Sequence, residues 1–530
     1  MHHKKTFKSL GSVETLKAKG MDDPTAYYKQ VVNEMNFERK QKGVKKIKDV
    51  SPERFVAYVF LKAILNKLAV KKYIDYFKLS HDFNYGPFEL ISSLVYARAV
   101  KPCSKLKTFH EVLPDLFEDT TYSYDQLLDG LSFIGNNYEK FVEIFTHQTT
   151  QKYGLDTTTT YFDCTNFFFE IDREDDFRRK GPSKEGRKDP IVGLGLLLDH
   201  NQIPIGMKMY PGNESEKPVM RDVIASLKAK NNISGRTIHV ADKGLNCAQN
   251  IAFARMNNDG YLFSKSVKGL SKIEKTWVLS HEGFTDVTDA KGKLLYRYKS
   301  CVDSFPYTME LDSRKTSVKL REKRLLTYNP KLAAKKRYEI NRMVEKARAL
   351  SYARAKRSEY GSAGKYVDFI DKDGTKAIAS INHEAIEKDR MFAGYNLLVT
   401  SEIDMDERCM YEIYHNLWRI EESFRVMKTD LDARPVYLQK EDSIKEHFLI
   451  CYLTVLLERI LQFKVLNNSF SSSDLFHFFK EFRVVKDGSK YVNTTRFTPL
   501  IVELERMFDL PLTNYYLSPK QIERITNCKV

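Results

Sequence analysis

The spacing of apolar residues along the chain changes period twice. Up to about residue 155 apolar residues recur at helical spacing, and helix starts are marked by Ser51 before Pro52 and by Ser123. Between about 157 and 266 the pattern is that of strands, and after about 440 it is helical again. This order predicts an α/β protein in which a sheet lies between helical N- and C-terminal regions.

The central segment predicts most of a sheet. TTTTYFDCTNFFFEI, from 157, is rich in β-branched and aromatic residues, and its alternation places Tyr161, Asp163 and Thr165 on one face. DPIVGLGLLLD and IPIGMKMY predict a hairpin of buried strands. TIHVADKGL and GYLFSKS predict two more strands with a helix, CAQNIAFARM, between them, and GYNLLVT, from 394, predicts another.

Residues 267–391 interrupt this order. They predict short strands around Trp277 and Tyr296 and then a helix, because Ile340, Met343 and Ala347 have helical spacing. We interpret 267–391 as an insertion within one catalytic domain, formed by 156–266 and 392–440. The flanking helical regions are 1–155, which we assign to DNA binding, and 441–530.

The net charge of the chain says more about its partner than its overall composition does. The chain has 530 residues, 42% of them hydrophobic, with a net charge of +16, and its pI near 9.2 favours a polyanionic partner such as nucleic acid. Sixteen Lys or Arg against three acids lie between Arg314 and Arg357, Lys336 among them. This basic segment predicts phosphate contact; the alternative is a solvated, lysine-rich helix.

Several classes of protein are disfavoured. The longest apolar runs, such as FLICYLTVLL at 448–457, have ten residues or fewer, whereas a bilayer needs about 20. The first thirty residues contain no apolar signal core, and the seven cysteines form no CxxC pair. These features predict a cytoplasmic protein without a membrane partner, a disulfide framework or a zinc knuckle.

The stretch YHNLWRIEESFRVMK, from 414, carries the most distinctive pattern. Its apolar residues predict one helix face, and a second stripe of Tyr414, Trp418, Glu421, Arg425 and Lys428 runs beside it. Glu421 therefore lies at the edge of the buried face. Taken alone, the stripe is more typical of a solvated helix supported by ion pairs.

Two further acids stand out in the predicted sheet. Asp163 lies on a strand among Phe162, Cys164 and Phe167, and Asp242 follows the strand in VADKG. A carboxylate in apolar surroundings is costly unless it is paired or bound to a metal. The alternatives are that Asp163 accepts a hydrogen bond from Thr165 and that Asp242 caps the next helix. With Glu421, these acids make an oxygen set suited to hard divalent cations.

The order of these motifs resembles the DDE transposases of bacterial insertion sequences, in the branch with the YREK signature. That signature places Tyr at 414, Glu at 421 and Lys at 428, but its Arg position is occupied by Leu417. GPSKEGRKDPIVGLGLLLD, IPIGMKMYPGNESE and LDARPVY also agree with the family. The resemblance covers roughly residues 157 to 440.

The resemblance implies a ribonuclease-H-like catalytic domain interrupted by an insertion. It implies that Asp163, Asp242 and Glu421 hold two Mg²⁺ ions, or Mn²⁺, at the catalytic site. Tyr414 and Lys428 would handle DNA, with Arg425 as a further DNA contact. Trp277 has two interpretations, stacking on an extruded base or packing in a small core. The basic stretch at 178–188 would hold DNA backbone or form an ordinary exposed loop.

The implied partners are double-stranded DNA with terminal inverted repeats and a target DNA, bound by a homodimer at the bacterial nucleoid. Two alternatives stay open. A nuclease of the same fold would cleave without joining, because the same metals drive both reactions. A decayed copy would bind DNA without cutting it.

Overall fold

The computed structural model describes residues 8–42, 52–230, 233, 235–311, 314–353, 357–370 and 378–530. Its α-helices, numbered in chain order, are α1 Val13–Ala18, α2 Pro24–Lys42, α3 Val59–Leu68, α4 Lys71–Lys78, α5 Pro87–Val100, α6 Lys105–Lys107, α7 Tyr124–Asn136, α8 Tyr138–Tyr153, α9 Glu216–Ala229, α10 Ala248–Met256, α11 Lys272–Leu279, α12 Pro330–Tyr352, α13 His383–Met391, α14 Glu407–His415, α15 Trp418–Arg425, α16 Glu441–Ile460, α17 Ser472–Glu481, α18 Pro499–Phe508 and α19 Pro519–Thr526.

The strands are β1 Glu53–Phe55, β2 Thr159–Phe168, β3 Ile191–Leu198, β4 Pro204–Pro211, β5 Ile238–Ala241, β6 Gly260–Lys265, β7 Thr285–Thr288, β8 Leu294–Leu311, β9 Arg314–Tyr328, β10 Val367–Ile370, β11 Ile378–Ile381, β12 Tyr395–Thr400, β13 Arg483–Asp487, β14 Lys490–Asn493 and β15 Tyr516–Leu517. The strands predicted in the central segment are therefore confirmed, as is the helix start at Ser123, which forms a capping box.

A nine-stranded mixed sheet forms the centre of the molecule, in the order β4-β3-β2-β5-β6-β12-β9-β8-β7. β2, β3 and β4 are antiparallel neighbours, whereas β5 is parallel to β2 and β6 is parallel to β5. β12 is antiparallel to β6 and joins it to the long β8–β9 hairpin. Strands from residues 267–391 thus extend the central sheet.

Both faces of the sheet are covered from β4 to β6, which explains why these strands are apolar on both sides, whereas β7 and the first half of β9 are exposed. One face, with Leu196 and Val240, packs in a core shared with the N- and C-terminal helices. The opposite face, with Phe162 and Leu197, packs against α9 and α10. The apolar run at 448–457 belongs to α16, which is buried along most of its length within the first core.

The flanking regions are less purely helical than predicted. β1, from the N-terminal region, pairs with β13, and β13, β14 and β15 complete a second sheet of four strands. The helix expected from Pro52 begins at Val59 instead, because β1 occupies 53–55. Ser51, its predicted cap, lies outside the described residues.

Two expectations for residues 267–391 also need correction. Trp277 lies on helix α11, not on a strand, because Ser271 and Glu274 form a capping box that starts this helix. The basic segment is divided between strand β9 and helix α12. The helical spacing of Ile340 and Ala347 is confirmed, since both are buried on one face of α12.

Among the described residues, no helix is both long and apolar enough to cross a membrane. All seven cysteines are free thiols.

Candidate active site

The register of two parallel strands brings Asp163 and Asp242 together. Phe162 of β2 is paired with Ala241 of β5, and each is followed at once by one of the two aspartates. The carboxyl ends of parallel strands meet at one edge of a sheet, where ligand crevices form. Residues 79 positions apart in the sequence therefore lie side by side, and both line one cavity of about 800 Å³.

Asp163 is largely buried, with 19% of its side chain exposed. Loss of solvation raises its pKa to about 6, and the charges of Glu216 and Asp242 act in the same direction. The ammonium of Lys184 opposes them from 3.5 Å, and it also lies 3.6 Å from Glu216. Lys184 thus supplies the positive charge that partly balances the acids.

The stretch from 414 is not one continuous helix. α14 ends at His415 and α15 begins at Trp418, and between them the chain tightens, since Leu417 N–H bonds to Tyr414 O at 3.1 Å. Beyond α15, residues Val426–Asp430 form a wider π-type turn. Despite these breaks in the helix, all five residues of the predicted stripe line the cavity: Tyr414, Trp418, Glu421, Arg425 and Lys428.

Tyr414 connects this helical stretch to the sheet. Its hydroxyl donates a hydrogen bond of 3.0 Å to Asp242 Oδ1. Burial, followed by the nearby charge of Asp242, raises the pKa of Tyr414 well above its ordinary value, so the hydroxyl keeps its proton and acts as the donor. Tyr414 therefore fixes one carboxylate oxygen of Asp242.

The other end of the stripe carries cations. Lys428 Nζ donates to Thr165 Oγ1 at 2.9 Å and lies 3.3 Å from Glu185 Oε1. Arg434, which follows the π-type turn, forms an ion pair with the same Glu185 oxygen. Burial lowers the pKa of Lys428, and Glu185 opposes this shift. A single carboxylate thus holds two cations that face the cavity.

The side of α15 away from the cavity is anchored by α16. Arg459, fully buried, lies 3.0 Å from Glu422 Oε2 and donates to Gln462 Oε1 at 2.6 Å. Arg419 adds a second contact to Glu422 at 3.3 Å. Because Glu422 is adjacent to Glu421 in the chain, this buried network fixes the helix that carries Glu421.

The carboxylates suit hard divalent cations by their chemistry, since all the donors are oxygens. The repulsion between Asp163 and Asp242 and the raised pKa of Asp163 are also what a cation site produces in the absence of the cation. Within the described residues, however, no three His, Cys, Asp or Glu side chains lie close enough together to hold one ion. Glu421 shares the cavity without completing a compact group.

The structure separates the predicted site residues into two sets. Asp163, Asp242 and Glu421 share the cavity with the predicted DNA contacts of the stripe. Trp277 does not line it; this side chain packs against the second core, with the ammonium of Lys299 5.1 Å from its ring centre. Lys336, from the basic segment, lines a different cavity.

Four residues at the cavity or its edge were not singled out from the sequence: Lys184, Glu185, Glu216 and Arg434. Lys184 and Glu185 lie in GPSKEGRK and Arg434 in LDARPVY, two of the motifs that carry the family resemblance. Their presence in those motifs was the available signal. Within residues 178–188, predicted to hold DNA backbone or to form an exposed loop, Lys184 lies near Asp163 and Glu185 lies near Lys428. The DNA contact of this stretch stays a prediction.

Comparison with known proteins identifies the family. The model of the transposase DDE domain matches residues 162–457, more than half of the chain, so the chain belongs to this family of DNA-acting enzymes. No curated protein matches the chain. The cryo-EM structure of a piggyBac transposase synaptic complex with hairpin DNA is similar over 80% of this chain and 78% of that chain, with 10% identity and a TM-score of 0.37. A likeness at that level carries no argument here.

Proposed function

We propose that this protein is the transposase of a bacterial insertion sequence. It would cut DNA at the terminal inverted repeats of the element and join the freed 3′-hydroxyls to a target DNA. One observation carries the proposal: Asp163, Asp242 and Glu421, distant in sequence and all within the matched transposase DDE domain, line a single cavity together with cations.

The strand order supports a ribonuclease-H-like catalytic unit. Three antiparallel strands, β2 to β4, are followed along the chain by β5 and β6, which add on the other side of β2 in parallel. Of the proposed acids, Asp163 lies in the middle of β2, Asp242 directly follows the neighbouring strand β5, and Glu421 lies on the helix packed against β2. The residues between β6 and β12 would then be the insertion.

Asp163, Asp242 and Glu421 would hold the divalent ions, two Mg²⁺ or Mn²⁺ per site in this proposal. Bound there, such ions would activate the attacking oxygen and neutralise charge on the scissile phosphate. Tyr414 would keep Asp242 oriented through its hydrogen bond. Pre-organised carboxylates lower the barrier because they need not move during the reaction.

Lys428, Arg425 and Arg434 would bind phosphate oxygens beside the cut. All three line the cavity, and Lys428 reaches it from the helical turn after α15. Contacts of this kind position DNA without reading its sequence. The buried network of Arg459 and Glu422 would keep α15, and with it Glu421, in place.

The finer family assignment rests on the stripe. Tyr414, Glu421 and Lys428 line one cavity, as the YREK signature implies, while Leu417 lines it where the signature has Arg. Arg434 is a cation that also reaches the cavity and forms an ion pair with Glu185. We propose that the protein belongs to this branch and acts as a dimer that holds two element ends. Its predicted location, the bacterial cytoplasm, stays a prediction.

The test is a joining reaction. Two duplexes carry the terminal repeat, one continuing into flanking DNA and one ending in a 3′-hydroxyl. Each is incubated with a supercoiled plasmid and Mg²⁺, and both cleavage and insertion are scored on a gel. The proposal expects plasmid products with the wild type and none with Asp163→Asn. Cleavage without joining would favour the nuclease alternative, and binding without cleavage would favour a copy that only binds DNA.

A further inference from the structure

A second cavity, of about 500 Å³, lies next to the candidate active site and is strongly basic. Six lysines and two acids line it. The lysines are Lys243, Lys265, Lys268, Lys335, Lys336 and Lys365. They come from the end of β5, the end of β6, helix α12 and the segment before β10, so the fold gathers them from four separate elements. We refer to this cavity as the lysine groove.

The two acids do not neutralise the lysine groove. Asp389 is shared by Lys268 at 2.5 Å and Lys365 at 3.2 Å, and Glu339 is paired with Lys336 at 2.8 Å. The other three lysines have no carboxylate within 4 Å in the part of the chain that the structure describes. These are Lys243, Lys265 and Lys335. The groove therefore keeps an excess of positive charge that ion pairs within the protein leave unused.

Lys265 has the least favourable surroundings of the three. Its side chain is partly buried, and its ammonium donates to Tyr307 Oη at 3.3 Å. Burial and the nearby charge of Arg324 lower its pKa, which measures how poorly its charge is compensated. An anion that entered the groove would supply the missing counter-charge.

The lysine groove adjoins the candidate active site. Asp242 lines the first cavity, and the next residue, Lys243, lines the second. Duplex DNA carries one negative charge per about 1.7 Å of its axis, so a duplex with one phosphate at Asp242 carries several more across adjacent surface. A small anion would need only one or two of these lysines, whereas their spread over four elements fits an extended phosphate backbone.

We propose that the lysine groove binds the backbone of the DNA segment that flanks the scissile phosphate. The inference rests on the proposed function, because it assumes that DNA is bound at the first cavity. It adds Lys243, Lys265 and Lys335 as DNA contacts and gives Lys336 a specific place on the DNA. Backbone contacts of this kind raise affinity without regard to sequence.

Salt-dependent binding tests this proposal. Full-length Asp163→Asn is used as the background so that no cutting occurs, and the probe is a fluorescent duplex of arbitrary sequence in EDTA. One triple variant, with Lys243→Gln, Lys335→Gln and Lys336→Gln, removes three positive charges from the groove. A control triple variant removes three exposed positive charges from the rest of α12 through the substitutions Arg342→Gln, Lys346→Gln and Arg348→Gln. Both triples lose three positive charges.

The groove triple should reduce the slope of log affinity against log salt by about 2 to 3, since each phosphate contact contributes about 0.9. The control triple variant should change the slope, relative to the parent protein, by less than the contribution of one phosphate contact. Equal slopes for the two triples would overturn the groove while DNA binding itself stood. Failure of the parent protein to bind the duplex would overturn both the groove and the proposed function.

A measurement on the unaltered protein removes any dependence on how the variants fold. Amine acetylation of the wild type is mapped by mass spectrometry with and without the same duplex. Lys243, Lys335 and Lys336 should be protected by DNA, and Lys346 should react equally in both samples. Protection of Lys346 without protection of the groove lysines would contradict the proposal.

Discussion

Tyr414 donates a hydrogen bond of 3.0 Å to Asp242 Oδ1, although 172 residues separate the two in the sequence. The bond joins the helix before Glu421 to the end of strand β5. It therefore ties the position of the helical stretch to the carboxylate pair on the sheet. A side chain that a family pattern marks only as a tyrosine thus has a defined physical role here.

Loss of this hydrogen bond should weaken catalysis without unfolding the protein. Hydrogen bonds to charged groups contribute about 1.5–3 kcal/mol, so Tyr414→Phe should lower the single-turnover rate of DNA cleavage by roughly 10- to 100-fold. Tyr411→Phe is the matched control, because Tyr411 stacks on Tyr296 outside the cavity lining. Equal rates for Tyr414→Phe and the wild type would show that Asp242 needs no such support.

The raised pKa of Asp163 predicts a pH-dependent stability in the absence of metal. The folded protein favours the protonated carboxyl of Asp163. The resulting stabilisation is complete below about pH 4, the pKa of an aspartate in the unfolded chain. It is lost as pH rises through the pKa of about 6 in the folded protein. The Asp163→Asn variant has no titrating carboxyl at this position, so it does not undergo this loss of stability. In EDTA the variant should be more stable than the wild type by up to about 3 kcal/mol at pH 8.

Urea unfolding at pH 5 and pH 8 measures this difference. The advantage of Asp163→Asn should be larger at pH 8, and added Mg²⁺ should stabilise the wild type but not the variant. Asp199→Asn is a useful comparison, because burial also raises the pKa of Asp199 to about 6 but that residue lies at the β3–β4 turn. The stability advantage of Asp199→Asn over the wild type should also be larger at pH 8 than at pH 5. Added Mg²⁺ should still stabilise this variant. An equal Mg²⁺ response in all three proteins would argue against Asp163 as a ligand.

Much of the central sheet could be predicted from the sequence, because its strands are buried, β-rich and bounded by turn residues. The pairing of β1 with β13 could not, since the partners are some 430 residues apart and each is short. Local signals were nevertheless present for two missed elements. Asp487 and Gly488 mark the β13–β14 turn, and the Ser271–Glu274 capping box marks α11.

The candidate site was predictable in part. The acids lie on a strand, directly after a strand and at a helix edge, and periodicity and order can locate these positions. Arg425 and Lys428 could be located from the helical stripe, but Lys184, Glu185 and Arg434 could not, because the first two lie in a loop without periodicity and Arg434 follows a π-type turn. Their positions depend on how the loop between β2 and β3 folds over the sheet edge.

Glu185 should compete with DNA for Lys428 and Arg434. Removing the charge with Glu185→Gln should tighten binding of a duplex in EDTA by about 5-fold, which corresponds to about 1 kcal/mol. Asp176→Asn, in the same loop and fully exposed, changes the net charge equally and serves as the control. The dissociation constants are measured by fluorescence anisotropy. If both variants tighten binding equally, the effect is one of net charge and not of the contact.

Arg459 should matter for stability through Glu422. Removal of one partner from a buried ion pair costs about 3–5 kcal/mol. Without Arg459, Glu422 would keep only the contact with Arg419, and the buried Glu458, 3.6 Å from Arg459, would lose its cation. We expect Arg459→Met to lower the free energy of unfolding by about that amount, as measured with urea. The double variant with Glu422→Gln should lose less than the sum of the single changes. Strict additivity would show that the two side chains act independently.

The most direct test of the three-acid site is cleavage of a labelled duplex that carries the element's own terminal repeat. The wild type and Glu421→Gln are compared with Mg²⁺ and with EDTA, and binding is measured on the same duplex. The account predicts Mg²⁺-dependent cleavage by the wild type and a loss of at least about 100-fold in the variant, with binding retained. Cleavage by Glu421→Gln at the wild-type rate would contradict the role assigned to Glu421.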